Sequence, residues 1–381
     1  MKQDLGLIAS TDRIEKSAHE LIATKKIVVI GGGNVGTFLA AAILNGSENY
    51  DLTIVESNEK RREEISRLGI GYEIGIDGKT ITTTIFPERF RTTNSMIEPA
   101  DIVFVATKSH QLTSELYHTE IEPFLKENSK VVLVQNGYPT PEILEAIGSK
   151  AVIMVVNTGF SLDEEGSKAV TNKSLIDLPY GSLSQAISRE ELIEEIGAIF
   201  LGNPPRLQVR CDENIIEDVM KKAQYACIGA YCAVEAFKSR HPRDQKFTFG
   251  NLVFLEREEL GSFTSAVAVR DNSQIEANIS AIAQEVEMIA GFPLLSPTEL
   301  QECRKVNINI ENSLVTDARN GRKMESGIVN NLLELGRTKG LETQALSKLS
   351  RVLEIIESDG WKLEPQNIRE VETCYSSRFR V

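Results

Sequence analysis

The chain has 381 residues, 41% of them hydrophobic and 25% charged, ordinary proportions for a globular protein of about two domains. Its 55 acidic and 42 basic side chains give a formal charge of −13, a field that repels a phosphate backbone, so nucleic acid is not expected as a partner. The cysteines, at 211, 227, 232, 303 and 374, lack CxxC spacing, and the histidines, at 19, 110, 118 and 241, are scattered. No metal site or disulfide framework is expected, and reduced thiols fit a cytoplasmic protein.

Taken in chain order, residues 1–25 form an extension in which Asp4, Asp12, Glu15 and Glu20 break any apolar core. A short amphipathic helix is predicted there rather than a secretory signal. Residues 27–44 approach the length of a membrane span, but Gly31, Gly32, Gly33 and Gly36 interrupt them. They read instead as a buried strand, a tight turn and a helix, and no membrane partner is expected. Strands at 26–30 and 52–55, with helices at 38–45 and 58–68, make a βαβ unit. Alternating residues on either side of Asp77-Gly78 predict a hairpin within 71–86. Further strands are predicted at 102–106, 131–134 and 152–156.

Strands alternating with helices imply an α/β fold, a Rossmann-type doubly wound and mostly parallel sheet over residues 26–208. The Gly202-Asn203-Pro204-Pro205 segment and the short strand Leu207-Gln208-Val209 mark its end. From about Asp212 onward charged and apolar residues alternate at helical spacing, which predicts a second, mainly α-helical domain over 209–381, with a polar insertion at 239–251.

Gly31-x-Gly33-x-x-Gly36 follows a strand and opens a helix, and Glu56 stands at the end of the next strand, twenty positions beyond Gly36. That context points to a dinucleotide. Gly31 permits the turn, Gly33 lets backbone approach a pyrophosphate, and Gly36 lets helix and strand pack closely. Asn34 and Val35 open the helix, whose N-terminal N–H groups attract phosphate. Glu56 suits the ribose hydroxyls of NAD, whereas Lys60, Arg61 and Arg62 could receive the extra phosphate of NADP, so the cofactor is NAD or NADP with a lean to NAD.

Four further stretches resemble the ketopantoate reductase (2-dehydropantoate 2-reductase) family, within the superfamily that shares a 6-phosphogluconate dehydrogenase-like C-terminal domain. They are Ala106-Thr107-Lys108-Ser109-His110-Gln111, Val134-Gln135-Asn136-Gly137, Met220-Lys221-Lys222-Ala223, and the run from Asn312 and Ser313 through Lys323-Met324-Glu325. The resemblance implies a catalytic lysine at Lys221, protonating a ketone oxygen as hydride arrives. It also implies an acidic residue at Glu325 near ribose and substrate, a substrate-contacting serine at Ser313, and cofactor contacts at Thr107, Lys108, Gln111 and Asn136. Lys222 lies about 100° around a helix from Lys221, so only one of the pair can face a cleft. His110 reads as cofactor packing rather than as an acid, and Asn136 also reads as the start of an Asn-Gly turn.

The chain departs from that family at Tyr225 and Gly229, four and eight residues after Lys221, where asparagines are usual. Both positions lie on the lysine's helical face and would reshape the substrate pocket. Ser326-Gly327 also stands where an apolar residue and an aspartate are usual. The expected activity is NAD(P)H-dependent reduction of a 2-oxo acid to a 2-hydroxy acid. The alternatives are an opine-type or amino-acid-linked dehydrogenase, which the Gly-Gly-Gly-Asn turn also resembles, and a non-catalytic sensor of nicotinamide redox state. The resemblance further implies a homodimer. The tail from Ala345 to Val381 could cover the cleft, extend the helical core or join a partner.

Overall fold

A computed structural model describes residues 24–46, 49–76, 79–171, 173, 175–183, 187–237, 246–249, 252–257, 262–264, 273–301 and 326–358. The first strand, β1 (Lys25–Ile30), runs directly into the glycine turn and α1 (Asn34–Gly46), and the chain returns as β2 (Tyr50–Val55) and α2 (Glu59–Leu68). A hairpin follows, β3 (Ile70–Ile76) and β4 (Lys79–Ile85), and then β5 (Arg91–Thr93), β6 (Ala100–Val105) and β7 (Leu125–Leu133). After α3 (Pro141–Ile147) come β8 (Ala151–Met154), β9 (Ser161–Leu162), β10 (Lys168–Thr171), β11 (Ile176–Ser182), α4 (Arg189–Glu195) and β12 (Leu207–Cys211).

Eight of these strands form one sheet in the order β12-β11-β8-β7-β6-β1-β2-β5. From β8 to β5 every pairing is parallel, whereas β11 runs antiparallel to β8 and β12 runs parallel to β11. The parallel part has the doubly wound order, whose switch point falls between β1 and β6. Strand β1 shows why both faces are covered. Ile27 and Val29 join a core with Phe38, Leu39 and Ile43 of α1, while Val28 joins one with Val103, Val105 and Ile143 on the other face. Period-two alternation between two apolar layers gives the continuous β-branched run seen in the sequence.

The hairpin is as predicted, with Ile76 paired to Lys79 across Asp77-Gly78. It belongs to a second, four-stranded sheet, β4-β3-β10-β9, whose Tyr72 meets Phe38 edge-on at 5.7 Å between ring centroids. The predicted N-terminal helix lies outside the described residues.

Beyond β12 the chain is mostly helical, with α5 (Ile215–Phe237), α6 (Ser273–Ala290), α7 (Ser326–Thr338) and α8 (Gln344–Ser358). Met220, Ala223 and Cys227 of α5 share a core with Ile282 and Val286, Ile328 and Leu332, and Leu346 and Leu349. The first part of the tail therefore extends the helical core. The Glu285 carboxylate ties α8 down by accepting the N–H groups of Ala345 at 2.7 Å and Leu346 at 2.8 Å, which satisfies two donors that a helix start leaves unpaired. The insertion after α5 contains three antiparallel strands, β13 (Lys246–Phe249), β14 (Leu252–Arg257) and β15 (Ser262–Thr264). Their short alternations, such as Lys246-Phe247-Thr248-Phe249, are weak in isolation and gain stability only from pairing with one another.

Candidate active site

The glycine turn has the geometry its sequence implies. Gly31 adopts φ +99°, in the left-handed region that a side chain rarely tolerates, and its N–H donates to the Val55 carbonyl at 2.8 Å. A β-carbon at Gly33 would meet nothing within 4 Å, so the backbone there faces open space. Helix α1 starts at Asn34 with no acidic residue in its first turn, leaving its positive end undiminished. These features fit the pyrophosphate of a dinucleotide.

Around the turn the charged side chains are already engaged. Glu56 accepts the Gly32 N–H through Oε2 and the Asn58 N–H through Oε1, both at 2.8 Å. Beneath the loop, Arg61 donates from Nε to the Gly32 carbonyl at 2.7 Å, from Nη2 to Thr37 Oγ1 at 2.8 Å, and from Nη1 to the Gly166 carbonyl. Burial lowers its pKa. Arg62 donates to the Glu56 carbonyl at 3.0 Å, while Lys60 is exposed. Of the three cations considered for a 2′-phosphate, Arg61 is thus part of the loop's foundation. Its position in α2 was visible in the sequence, but nothing there indicated what it would touch.

The turns after β6 and β7 sit on the same edge of the sheet. The Gln111 side chain accepts the Lys108 N–H at 3.0 Å, and Gln135 donates from Nε2 to Thr107 Oγ1 and the Lys108 carbonyl, both at 3.3 Å. Asn136 follows, then Gly137 with φ +86°. Here the first turn of α7 closes in. A β-carbon at Gly137 would lie 2.9 Å from Ile328 Cγ2, and one at Gly327 would lie 2.4 Å from Ser109 Oγ. Asn331 adds a hydrogen bond from Nδ2 to the Tyr138 carbonyl at 3.0 Å. Ser313 and Glu325 lie outside the described residues, but α7 begins at Ser326, the residue after Glu325.

Helix α5 presents its two lysines differently. Lys221 Nζ pairs with Glu217 Oε1, one turn earlier on the same helix, at 2.8 Å, and that hydrogen bond raises its pKa above the ordinary lysine value. Lys222 Nζ instead donates to the Val156 carbonyl, just past the carboxyl end of β8. Tyr225 is 37% exposed and Gly229 is buried. The Cys227 thiol points into the helical core, where burial pushes its pKa up to about 12 and makes it a poor nucleophile. Beyond Val156 the same loop reaches Phe160, whose carbonyl accepts Asn34 Nδ2 at 2.7 Å and whose ring stacks on Phe38 at 4.3 Å.

Residues 27–183 match the sequence model of the family described as ketopantoate reductase PanE/ApbA. The N-terminal lobe is thus similar in sequence to that family's domain. Among solved structures, a probable 2-dehydropantoate 2-reductase from Bacillus subtilis is 19% identical with a TM-score of 0.60, the match covering 87% of this chain and all of that one. D-mandelate dehydrogenase, solved with NADH and anilino(oxo)acetate, is 15% identical with a TM-score of 0.64, over 88% of this chain and 99% of that one. A 2-dehydropantoate 2-reductase from Methylococcus capsulatus is 16% identical with a TM-score of 0.58, over 89% and 98%. At these identities the likeness is one of fold, and it extends well past residues 27–183 into the helical lobe. No curated protein sequence matches the chain. Among the described residues no helix is long and apolar enough to cross a membrane, and no cluster of three or more His, Cys, Asp or Glu could hold a metal ion.

Proposed function

We propose that this protein is an NAD(P)H-dependent reductase that converts a 2-oxo acid to a 2-hydroxy acid. The single observation that carries the reading is a convergence. The glycine turn, the Thr107–Lys108 turn, the Gln135–Gly137 turn and an α5 lysine contact all lie at the carboxyl edge of one doubly wound sheet, where such folds bind their ligands. When bound, the nicotinamide supplies hydride. Gly31, Gly33, Asn34, Val35 and Gly36 hold the pyrophosphate, with Thr107, Lys108, Gln111 and Asn136 nearer the ring.

The protein's own chemical task is to neutralise charge on the ketone oxygen, because an alkoxide in a dry crevice is costly. An α5 ammonium does this, and the family resemblance singles out Lys221, with Glu325 and Ser313 positioning the substrate. Tyr225 and Gly229, in place of two amides, favour a 2-oxo acid with a larger substituent than ketopantoate carries. Glu56 accepts hydrogen bonds and repels a phosphate, which favours NADH over NADPH. A cytoplasmic location and a homodimer belong to the same reading.

The test is a panel of 2-oxo acids, with aliphatic and aryl substituents, assayed with NADH and NADPH by nicotinamide absorbance. Turnover of at least one acid without added amine is expected. Turnover only when an amine is present would replace this reading with an opine-type dehydrogenase, and tight dinucleotide binding with no turnover would leave a sensor.

A further inference from the structure

We propose that Lys222, rather than its neighbour Lys221, is the residue that donates the proton to the substrate's oxo group, an assignment that rests on the reductase reading above. Adjacent residues on a helix project about 100° apart, so two consecutive lysines cannot serve one crevice equally. Their partners separate them. The Lys222 ammonium lies on the Val156 carbonyl, at the carboxyl end of β8. The Lys221 ammonium turns back along its own helix to Glu217.

The loop that receives Lys222 is the one that reaches the dinucleotide turn. It leaves β8 at Val155, passes Val156, and at Phe160 accepts the side-chain amide of Asn34 at 2.7 Å, the first residue of α1. Four residues of chain therefore join the carbonyl under Lys222 to the residue that opens the dinucleotide-binding helix. No comparable link reaches Lys221 among the described residues. Chemistry points the same way. Hydrogen bonding to Glu217 raises the Lys221 pKa, and a raised pKa makes an ammonium a weaker acid.

A bound reduced nicotinamide would supply the hydride that forms the new C–H bond at the carbonyl carbon of the 2-oxo acid. The C=O π pair moves onto oxygen, which takes one proton from the Lys222 ammonium to give the 2-hydroxy acid. The neutral amine then regains a proton from water.

Two measurements test this. In the first, wild-type protein is acetylated with limiting acetic anhydride, with and without saturating NADH or NADPH, and each lysine is read by fragment mass spectrometry. Dinucleotide is expected to slow labelling of Lys222 at least fivefold and that of Lys221 less than twofold. Protection of Lys221 alone, or of neither lysine despite demonstrated dinucleotide binding, overturns the proposal without touching the reductase reading. In the second, K222M is expected to lose about 10²–10⁴-fold in kcat with dinucleotide affinity within threefold of wild type, a loss at least ten times that of K221M. A larger loss in K221M returns the role to that residue. Failure of the wild-type protein to bind either dinucleotide overturns the reductase reading and this assignment together.

Discussion

A β-carbon at Gly36 would stand 1.7 Å from the carbonyl oxygen of Gly31. No flexible side chain is available to yield, because the obstacle is backbone. The Gly36→Ala variant must therefore push α1 away from β1, which disturbs the turn and the core behind it at once. Overpacking of this kind costs about 1–3 kcal/mol. A lower Tm and at least a tenfold weaker NADH affinity by fluorescence titration are expected, and an unchanged affinity would remove the pyrophosphate from this turn.

Arg61 links three segments through the Gly32 carbonyl, Thr37 Oγ1 and the Gly166 carbonyl, with only 11% of its side chain exposed. Arg61→Ala removes all three of these hydrogen bonds, although the Gly32 carbonyl keeps the Thr37 hydroxyl at 3.1 Å, and is expected to cost about 2–4 kcal/mol in urea unfolding. Arg61→Lys should recover little, because a single ammonium cannot reproduce a planar fork. Full recovery by lysine would mean that charge alone matters at this position.

The Glu56 carboxylate organises the turn through the Gly32 and Asn58 N–H groups. Glu56→Gln keeps the size and one of the two acceptors, and removes the charge that disfavours a 2′-phosphate. The NADPH-to-NADH affinity ratio is expected to rise about tenfold, on the order of 1.4 kcal/mol. A ratio that does not move would assign cofactor choice to other residues.

Glycine at 137 combines φ +86° with a close approach to Ile328. Gly137→Ala meets both constraints, and in the double variant with Ile328→Ala only the steric one is relieved. Stability of the double variant, measured against the two single ones, should show non-additivity of about 0.5–2 kcal/mol. Strict additivity would show that the Gly137 turn and α7 are not packed together in solution.

Burial raises the pKa of Glu285, with the α8 N–H groups partly offsetting it. A folded-state pKa above the unfolded value means that the folded chain binds the proton more tightly. Stability then falls as pH rises from the ordinary value of 4.5 through the raised folded one, and is flat above it. Unfolding of wild type and Glu285→Gln across pH 4 to 7 should show this decline only in the wild type. Identical pH profiles would place the carboxylate in water.

Much of the first lobe was legible in the chain because its signals are local. Residues 27–30 are β-branched since both sheet faces are covered, and the hairpin pairs Ile76 with Lys79. Asn58, read as the start of a helix, caps α2 by accepting the Arg61 N–H at 3.0 Å. Gly36 was legible for the same reason, since it answers a constraint only five residues away, the Gly31 carbonyl.

What the sequence could not decide is which distant groups meet. The pairing of β10 with β3, about a hundred residues earlier, depends on where two separate hairpins come to rest. The engagement of Arg61 beneath the loop depends on a carbonyl at Gly166, 105 residues away. The two lysines of α5 are alike as letters, and periodicity says only that they diverge. The packing of α5 against the strand ends sets Lys222 on Val156 and leaves Lys221 to Glu217, because the direction in which a helix faces is fixed by tertiary contacts and not by its own sequence.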